Sequence, residues 1–301
     1  FFKAEDGIRD ISVRLEFRRV LFRSTTWRCF ERRGHGPIDL ANSLKRSCDN
    51  YYYELGHRLG IENLSLTASK LGFGEKTGIS LLGESQGILP SKQYYLKRFG
   101  YVAPGFVVNM SIGQGDLSVT PLQAAVAYAA LANGGKIYKP RIVSNIKDYQ
   151  GNLLQEFPVE VKNTIAEGVE DFNSIIEGLS YVVEPGGSAH GIMYNPNFKD
   201  IADWIRKNNI KIVGKTGTAQ VVALSKQVDH VEAKDVAYEH RDHAWFAGIY
   251  PKNNPKIVTI VMTEHAGFGS SYSAPVAIRL MKKWDEKFLN KSTVVGGLHD
   301  N

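Results

Sequence analysis

The sequence has no apolar run near the roughly 20 residues that a bilayer-spanning helix needs. Its first residues also lack the charged-then-apolar pattern of a secretory leader. Any membrane anchor is therefore expected outside these 301 residues. Cysteine is scarce: Cys29 and Cys48 are the only two, too few for a disulfide-stapled small scaffold. No internal repeat is visible, which excludes solenoids and propellers. Helix-turn-helix, zinc-finger and aromatic RNA-binding patterns are missing too. The net charge of +6 is thus read as a solvated basic surface and not as a nucleic-acid site. Part of that excess sits in residues 1–35, which hold eight Arg and one Lys.

What remains is ordinary globular material, 43% apolar and 23% charged, long enough to bury a substantial core. Residues 1–24 stand apart. They mix both hydrophobic periodicities, show no caps and resemble a translated sequencing adapter, so they are read as foreign to the fold. Residues 25–290 are read as one partial domain and 291–301 as a tail.

From Asp39 the pattern is orderly. Asp39 is placed to cap a helix over LANSLKRS. A second helix, DNYYYELGHRLG, should stop at Gly60, and Asn63 should cap a third that ends at Gly72. Residues 73–108, rich in Gly, Pro and aromatics, are expected to be loops. Thr120-Pro121-Leu122-Gln123 combines a capping box with Pro at the first helical position, so a buried helix should follow over AAVAYAALA. KIYKPRIVSNI reads as strand and 171–185 as helix. IKIVG (210–214), HAWFAGIY (243–250) and KIVTIVMTE (256–264) read as strands, the last two forming an antiparallel hairpin. A final helix covers APVAIRLMKKWDEKFL. Helices followed by an antiparallel sheet make an α+β fold.

Lys215-Thr216-Gly217-Thr218 directly follows the apolar strand IKIVG. Gly217 removes a side chain where a substrate backbone would approach. Lys215 supplies a cation, and the Thr hydroxyls with the Thr218 amide suit a carboxylate or an oxyanion. A second K-T-G at Lys76–Gly78 follows no strand and is read as a turn. Ser47-Cys48-Asp49 lies between two helices. Taken alone, Ser47 and Asp49 are ordinary cap residues.

In order, S-x-D, Gly113-Gln114-Gly115 and K-T-G resemble the penicillin-binding protein and serine β-lactamase family, whose signature is S-x-x-K, S-x-N or S-x-D, and K-T-G. The segments RGHGPIDLANSLKRSCDNYYYELG (33–56), IGQGDLSVTPLQAAVAYAALANGG (112–135), GKTGTAQ (214–220) and HAWFAGIYPKNNPKI (243–257) are similar to the class B, elongation-type group of peptidoglycan D,D-transpeptidases, the penicillin-binding protein 2 group. The resemblance runs from about Trp27 to about Leu289. It implies a transpeptidase fold with an antiparallel sheet flanked by helices, here incomplete at its N-terminus.

The resemblance also implies two acyl transfers on D-Ala-D-Ala stem peptides, with β-lactams as inhibitors and no cofactor for the chemistry. In it, Ser47 holds protons at the leaving amine and Asp49 orients the substrate amide. Lys215 supplies positive potential, Thr216 and Thr218 bind the terminal carboxylate, and the Thr218 amide is half of an oxyanion hole. Elongation-complex membrane proteins would be partners of the full-length protein, on the periplasmic face of the inner membrane.

The family's nucleophile is missing, since no S-x-x-K precedes Ser47. Ser144-Asn145-Ile146-Lys147 has the letters but follows the S-x-D element, so it is an accident of composition. The chain is expected to be truncated and catalytically inactive.

Cys29, His35 and Cys48 offer three ligands suited to zinc. A Cys29–Cys48 disulfide or two buried thiols explain the cysteines equally well. In the resembling group, some members carry a metal here, with Asp where Cys29 stands. Two other functions stay open: a β-lactamase or carboxypeptidase of the same fold, and a non-catalytic binding or sensor module.

Overall fold

The computed structural model describes residues 20–22, 25–31, 33–166, 168–221 and 236–289. The chain forms two compact units that alternate along the sequence, Phe1–Ile38 with Cys48–Asn173, and Asp39–Ser47 with Ser174–Asn301.

In the first unit, β1 (Val20–Phe22) and β2 (Thr25–Trp27) make an antiparallel ladder that joins no other sheet among the described residues. β1 falls within the segment read as foreign; residues 1–19 of that segment lie outside the described residues. Helix α2 (Asp49–Lys70) is interrupted at Gly60, whose φ of 70° and ψ of 167° are open to glycine without a Cβ clash. The expected cap at Asn63 is not one. Its side-chain amide donates to the Leu59 carbonyl from inside the helix.

Residues 73–108 hold two helices where loops were expected: α3 (Lys92–Phe99), capped by Ser91, and α4 (Pro104–Ser111), opened by its proline. Each has only eight residues, too few to be stable alone. Ring stacking stabilises them, with the Tyr95 and Phe106 centroids 4.3 Å apart and nearly parallel. Helix α5 (Pro121–Ala132) starts with the expected capping box. The Gln123 amide also donates to the Glu75 and Gln86 carbonyls, which pins the preceding loop.

That loop contains Lys76–Gly78. Thr77 is buried and bonded to Glu84, so the second K-T-G is structural. Burial alone would raise the Glu84 carboxyl, but donors from Thr77 and Gly78 outweigh it and hold the group below its ordinary value. The strand-like stretch after α5 divides near Pro140 into β3 (Lys136–Tyr138) and β4 (Asn145–Lys147). They pair with β6 (Val161–Thr164) and β5 (Leu153–Glu156), neither foreseen from sequence.

The second unit contains α1 (Leu40–Arg46), capped by Asp39, whose carboxylate accepts the Asn42 N–H at 2.7 Å. Helix α6 (Phe172–Leu179) ends well before Pro185. Helix α7 (Lys199–Lys207) occupies a stretch to which the sequence reading assigns no element. Its sequence alternates a buried face, Ile201, Trp204 and Ile205, with a charged one.

Strands β7 (Val213–Ala219), β8 (His243–Tyr250) and β9 (Ile257–Thr263) form an antiparallel sheet in that order. Lys215 to Thr218 lie within β7, which begins at Val213. Among the described residues, β7 is an edge of this sheet. Helix α8 (Ser273–Phe288) packs on β8 and β9 through Ala274, Ala277, Ile278 and Met281. These join Phe246, Ile201 and Trp204 in the main core. Each fully buried large side chain contributes roughly 1.5–3 kcal/mol.

Candidate active site

Ser47 ends α1 in the left-handed conformation, at φ 52° and ψ 54°. This is an uncommon state for a residue with a Cβ. Its hydroxyl accepts a hydrogen bond from the Lys215 ammonium, 168 residues away in sequence. The same ammonium donates to the Thr216 carbonyl at 3.1 Å. Ser47 and Lys215 belong to the same unit. An ammonium that donates to a hydroxyl oxygen in this way can pass its proton there, and the amine it leaves can take one back.

β7 presents the rest of the group. It pairs with β8 in the register Lys215↔Ala247, Thr216↔Phe246, Gly217↔Trp245 and Thr218↔Ala244. An antiparallel edge strand leaves every second residue's N–H and C=O unclaimed by its neighbour. An outer strand of this kind suits an extended peptide or an oxyanion.

Gly217 has a packing reason beyond substrate approach. A Cβ there would lie 3.1 Å from the Trp245 Cβ. From the other direction, the loop after β9 brings Gly269 so close that its own Cβ would lie 2.5 Å from the Gly217 carbonyl oxygen.

The sequence reading missed Ser188. Its hydroxyl lies 2.7 Å from the Thr216 hydroxyl, and its N–H donates to the Lys45 carbonyl in the last turn of α1. The only local signal is the Pro185-Gly186-Gly187 turn before it, which reads as a helix stop.

Asp49 belongs to the other unit. It opens α2, and its carboxylate accepts the Phe30 N–H at 3.1 Å. Ser144 precedes the exposed strand β4, with Lys147 on that strand.

Cys29, His35 and Cys48 come together in the first unit, their donor atoms all within 4.8 Å of one another. Both cysteines are free thiols and buried, and the Cys29 sulfur lies 3.6 Å from His35 Nδ1. The Cys29 hydrogen bond to the Cys48 sulfur makes Cys48 the more acidic of the pair, against its burial. The same bond, together with burial, pushes Cys29 up. Two sulfurs and an imidazole this close fit a soft divalent ion such as zinc, with a fourth position left to another donor.

The penicillin binding protein transpeptidase domain family matches residues 20–282. The peptidoglycan D,D-transpeptidase MrdA of Haemophilus influenzae is 34% identical over 260 residues, covering 85% of this chain and 37% of that protein. Stage V sporulation protein D of Bacillus subtilis is 32% identical over 262 residues, covering 85% and 35%. The chain thus spans little more than a third of these relatives' length.

Among solved structures, Pseudomonas aeruginosa PBP2 in complex with WCK 5153 has a TM-score of 0.70 at 30% identity, covering 88% of this chain and 52% of that one. The complex between penicillin-binding protein PBP2 and MreC from Helicobacter pylori has a TM-score of 0.71 at 27% identity, covering 90% and 44%.

Proposed function

The chain belongs to the penicillin-binding protein transpeptidase domain family, and on that premise we propose that it is part of a peptidoglycan D,D-transpeptidase. The substrate would be a stem peptide ending in D-Ala-D-Ala, laid along β7. The observation that carries this is the Lys215–Ser47 pair beside Thr216 and Thr218 on an edge strand. In this reading Thr216 and Thr218 donate to the terminal carboxylate and the Thr218 N–H to the developing oxyanion. Loss of one oxyanion donor typically costs about 3 kcal/mol in the transition state. Lys215 and Ser47 hold the proton that the leaving amine takes up.

No S-x-x-K precedes Ser47 in these 301 residues. The chain as it stands is therefore proposed to bind substrate and β-lactams reversibly without forming an acyl-enzyme. Incubation with a labelled penicillin, read by intact mass and by displacement with an acyl-D-Ala-D-Ala peptide, tests both parts. The expected result is displaceable binding without a covalent adduct. A stoichiometric adduct would overturn the inactivity, and no binding of either kind would overturn the site.

The H. pylori relative solved with MreC supports a membrane protein of the elongation machinery as partner of the protein that carries this domain. Its place would be the periplasmic face of the inner membrane, where peptidoglycan is crosslinked. No helix among the described residues is long and apolar enough to cross a membrane. Zinc, held by Cys29, His35 and Cys48, is proposed as a structural ion only. It would tie the segment around Cys29 to the start of α2, supported by the soft donor set.

A further inference from the structure

Ser188 sits in a turn whose backbone leaves it little freedom. Gly187, just before it, lies against the turn after α6. A Cβ at Gly187 would be 2.3 Å from the Tyr181 carbonyl oxygen and 2.4 Å from that of Val182. The Gly187 N–H donates to the Glu184 carbonyl at 2.7 Å, and the Ala189 N–H to the Val182 carbonyl at 2.8 Å. Ser188 is thus placed by bonds on both sides of it, and its own polar groups are free to act elsewhere. Its N–H holds the Lys45 carbonyl at 3.0 Å, two residues before Ser47. That carbonyl is one of the orphan acceptors of a helix C-terminus. Its hydroxyl meets the Thr216 hydroxyl at 2.7 Å, next to Lys215.

Two hydroxyls share two protons, and one of the two lies between them. If Thr216 donates to Ser188, Thr216 has no proton for a ligand. If Ser188 donates to Thr216, the Thr216 O–H is released to point at an acceptor. An anionic acceptor favours the second arrangement, because a charge-assisted hydrogen bond is about twice as strong as a neutral one.

We propose that Ser188 is a positioning residue for carboxylate recognition. It donates its proton to Thr216 Oγ1 so that the Thr216 hydroxyl faces the ligand's terminal carboxylate, and through Lys45 it holds the end of α1 where Ser47 meets Lys215. The inference rests on Thr216 binding that carboxylate, as proposed above.

The test uses the full 301-residue chain and two probes, N-acetyl-D-Ala-D-Ala and its C-terminal carboxamide, followed by NMR shift titration. The wild-type chain is expected to favour the acid. Ser188→Ala should reduce the affinity for the acid about tenfold, the scale of one hydrogen bond to a charge, and leave the carboxamide affinity unchanged. Ser188→Thr should restore the preference. A residue that merely supports the fold would weaken both probes alike. An unchanged acid-to-amide ratio in Ser188→Ala, or equal loss of both, overturns the proposal. If the wild type does not discriminate, the carboxylate reading of Thr216 falls and this inference falls with it. If Ser188→Ala does not fold, Ser188→Cys, similar in size but a weak donor, carries the same comparison and should lose part of the preference.

Discussion

Gly269 offers a direct test of how the K-T-G-T strand is seated. A Cβ at this position would lie 2.2 Å from the Trp245 carbonyl oxygen, 2.5 Å from that of Gly217 and 3.1 Å from the Gly217 nitrogen. All three are backbone atoms of paired strands, since Gly217 faces Trp245 in the ladder. None can swing aside as a side chain could. The loop cannot retreat cheaply either. The Gly267 N–H is bonded to the Asp242 carbonyl at 2.8 Å, and the Ala274 N–H to the Gly269 carbonyl at 2.9 Å. Restoring an ordinary carbon–oxygen contact needs a shift of about 1 Å, and overpacking of this kind costs roughly 1–3 kcal/mol. With backbone on both sides, Gly269→Ala should fall near the top of that range.

Gly248→Ala is the control. Its Cβ would come within 2.2 Å of the Met281 methyl, the far end of a flexible side chain on α8. Its cost should be about 1 kcal/mol. Urea unfolding measures the stability, and NMR titration with an acyl-D-Ala-D-Ala peptide measures the site. Gly269→Ala should weaken peptide binding about tenfold, or 1.4 kcal/mol, while Gly248→Ala binds as the wild type does. If Gly269→Ala is no less stable than Gly248→Ala and binds peptide normally, the loop does not seat the strand and the reasoning fails.

Two further outcomes are expected. The Tyr250 hydroxyl donates to Asp285 Oδ1 at 2.8 Å and the Trp204 indole to Oδ2 at 3.3 Å, inside the core of the second unit. Tyr250→Phe should therefore cost about 2–3 kcal/mol, because a buried carboxylate loses a donor. Burial, and then the bond to Asp285, raise the Tyr250 phenol above its ordinary value. Its contribution is thus fully present below about pH 10, the ordinary tyrosine value, and is lost as pH rises beyond it. The alkaline fall in stability should be shallower in Tyr250→Phe, and overlapping curves would contradict the assignment. For the thiol cluster, native mass spectrometry of the chain with one equivalent of zinc should show one bound ion, and Cys48→Ser should lose it. Retention of the ion in that variant would remove Cys48 from the site.

Local chemistry in the sequence settled several elements by itself. The capping box at Thr120 and Gln123 specifies the start of α5 because cap and helix lie within four residues. The apolar, aromatic-rich run HAWFAGIY specifies β8, and Asp39 specifies α1. The K-T-G-T motif could be singled out because it continues an apolar strand, and the copy at Lys76 could be set aside because it does not. Helices α3, α4 and α7 were not legible. They are short, and ring stacking or an apolar stripe completed by distant residues stabilises them, not their own propensity.

The site itself depended on tertiary structure. Ser47 reads as a cap residue until Lys215 reaches it across 168 positions. Ser188 reads as part of a turn until the fold sets it between the Lys45 carbonyl and the Thr216 hydroxyl. Even β7 as a sheet edge follows from which strands pair, not from its own seven residues. The physical reason is range. Caps and short apolar runs are legible from neighbours in the chain. A proton-sharing pair or a strand's place in its sheet requires groups far apart in sequence, and only packing of the core brings them within hydrogen-bond distance.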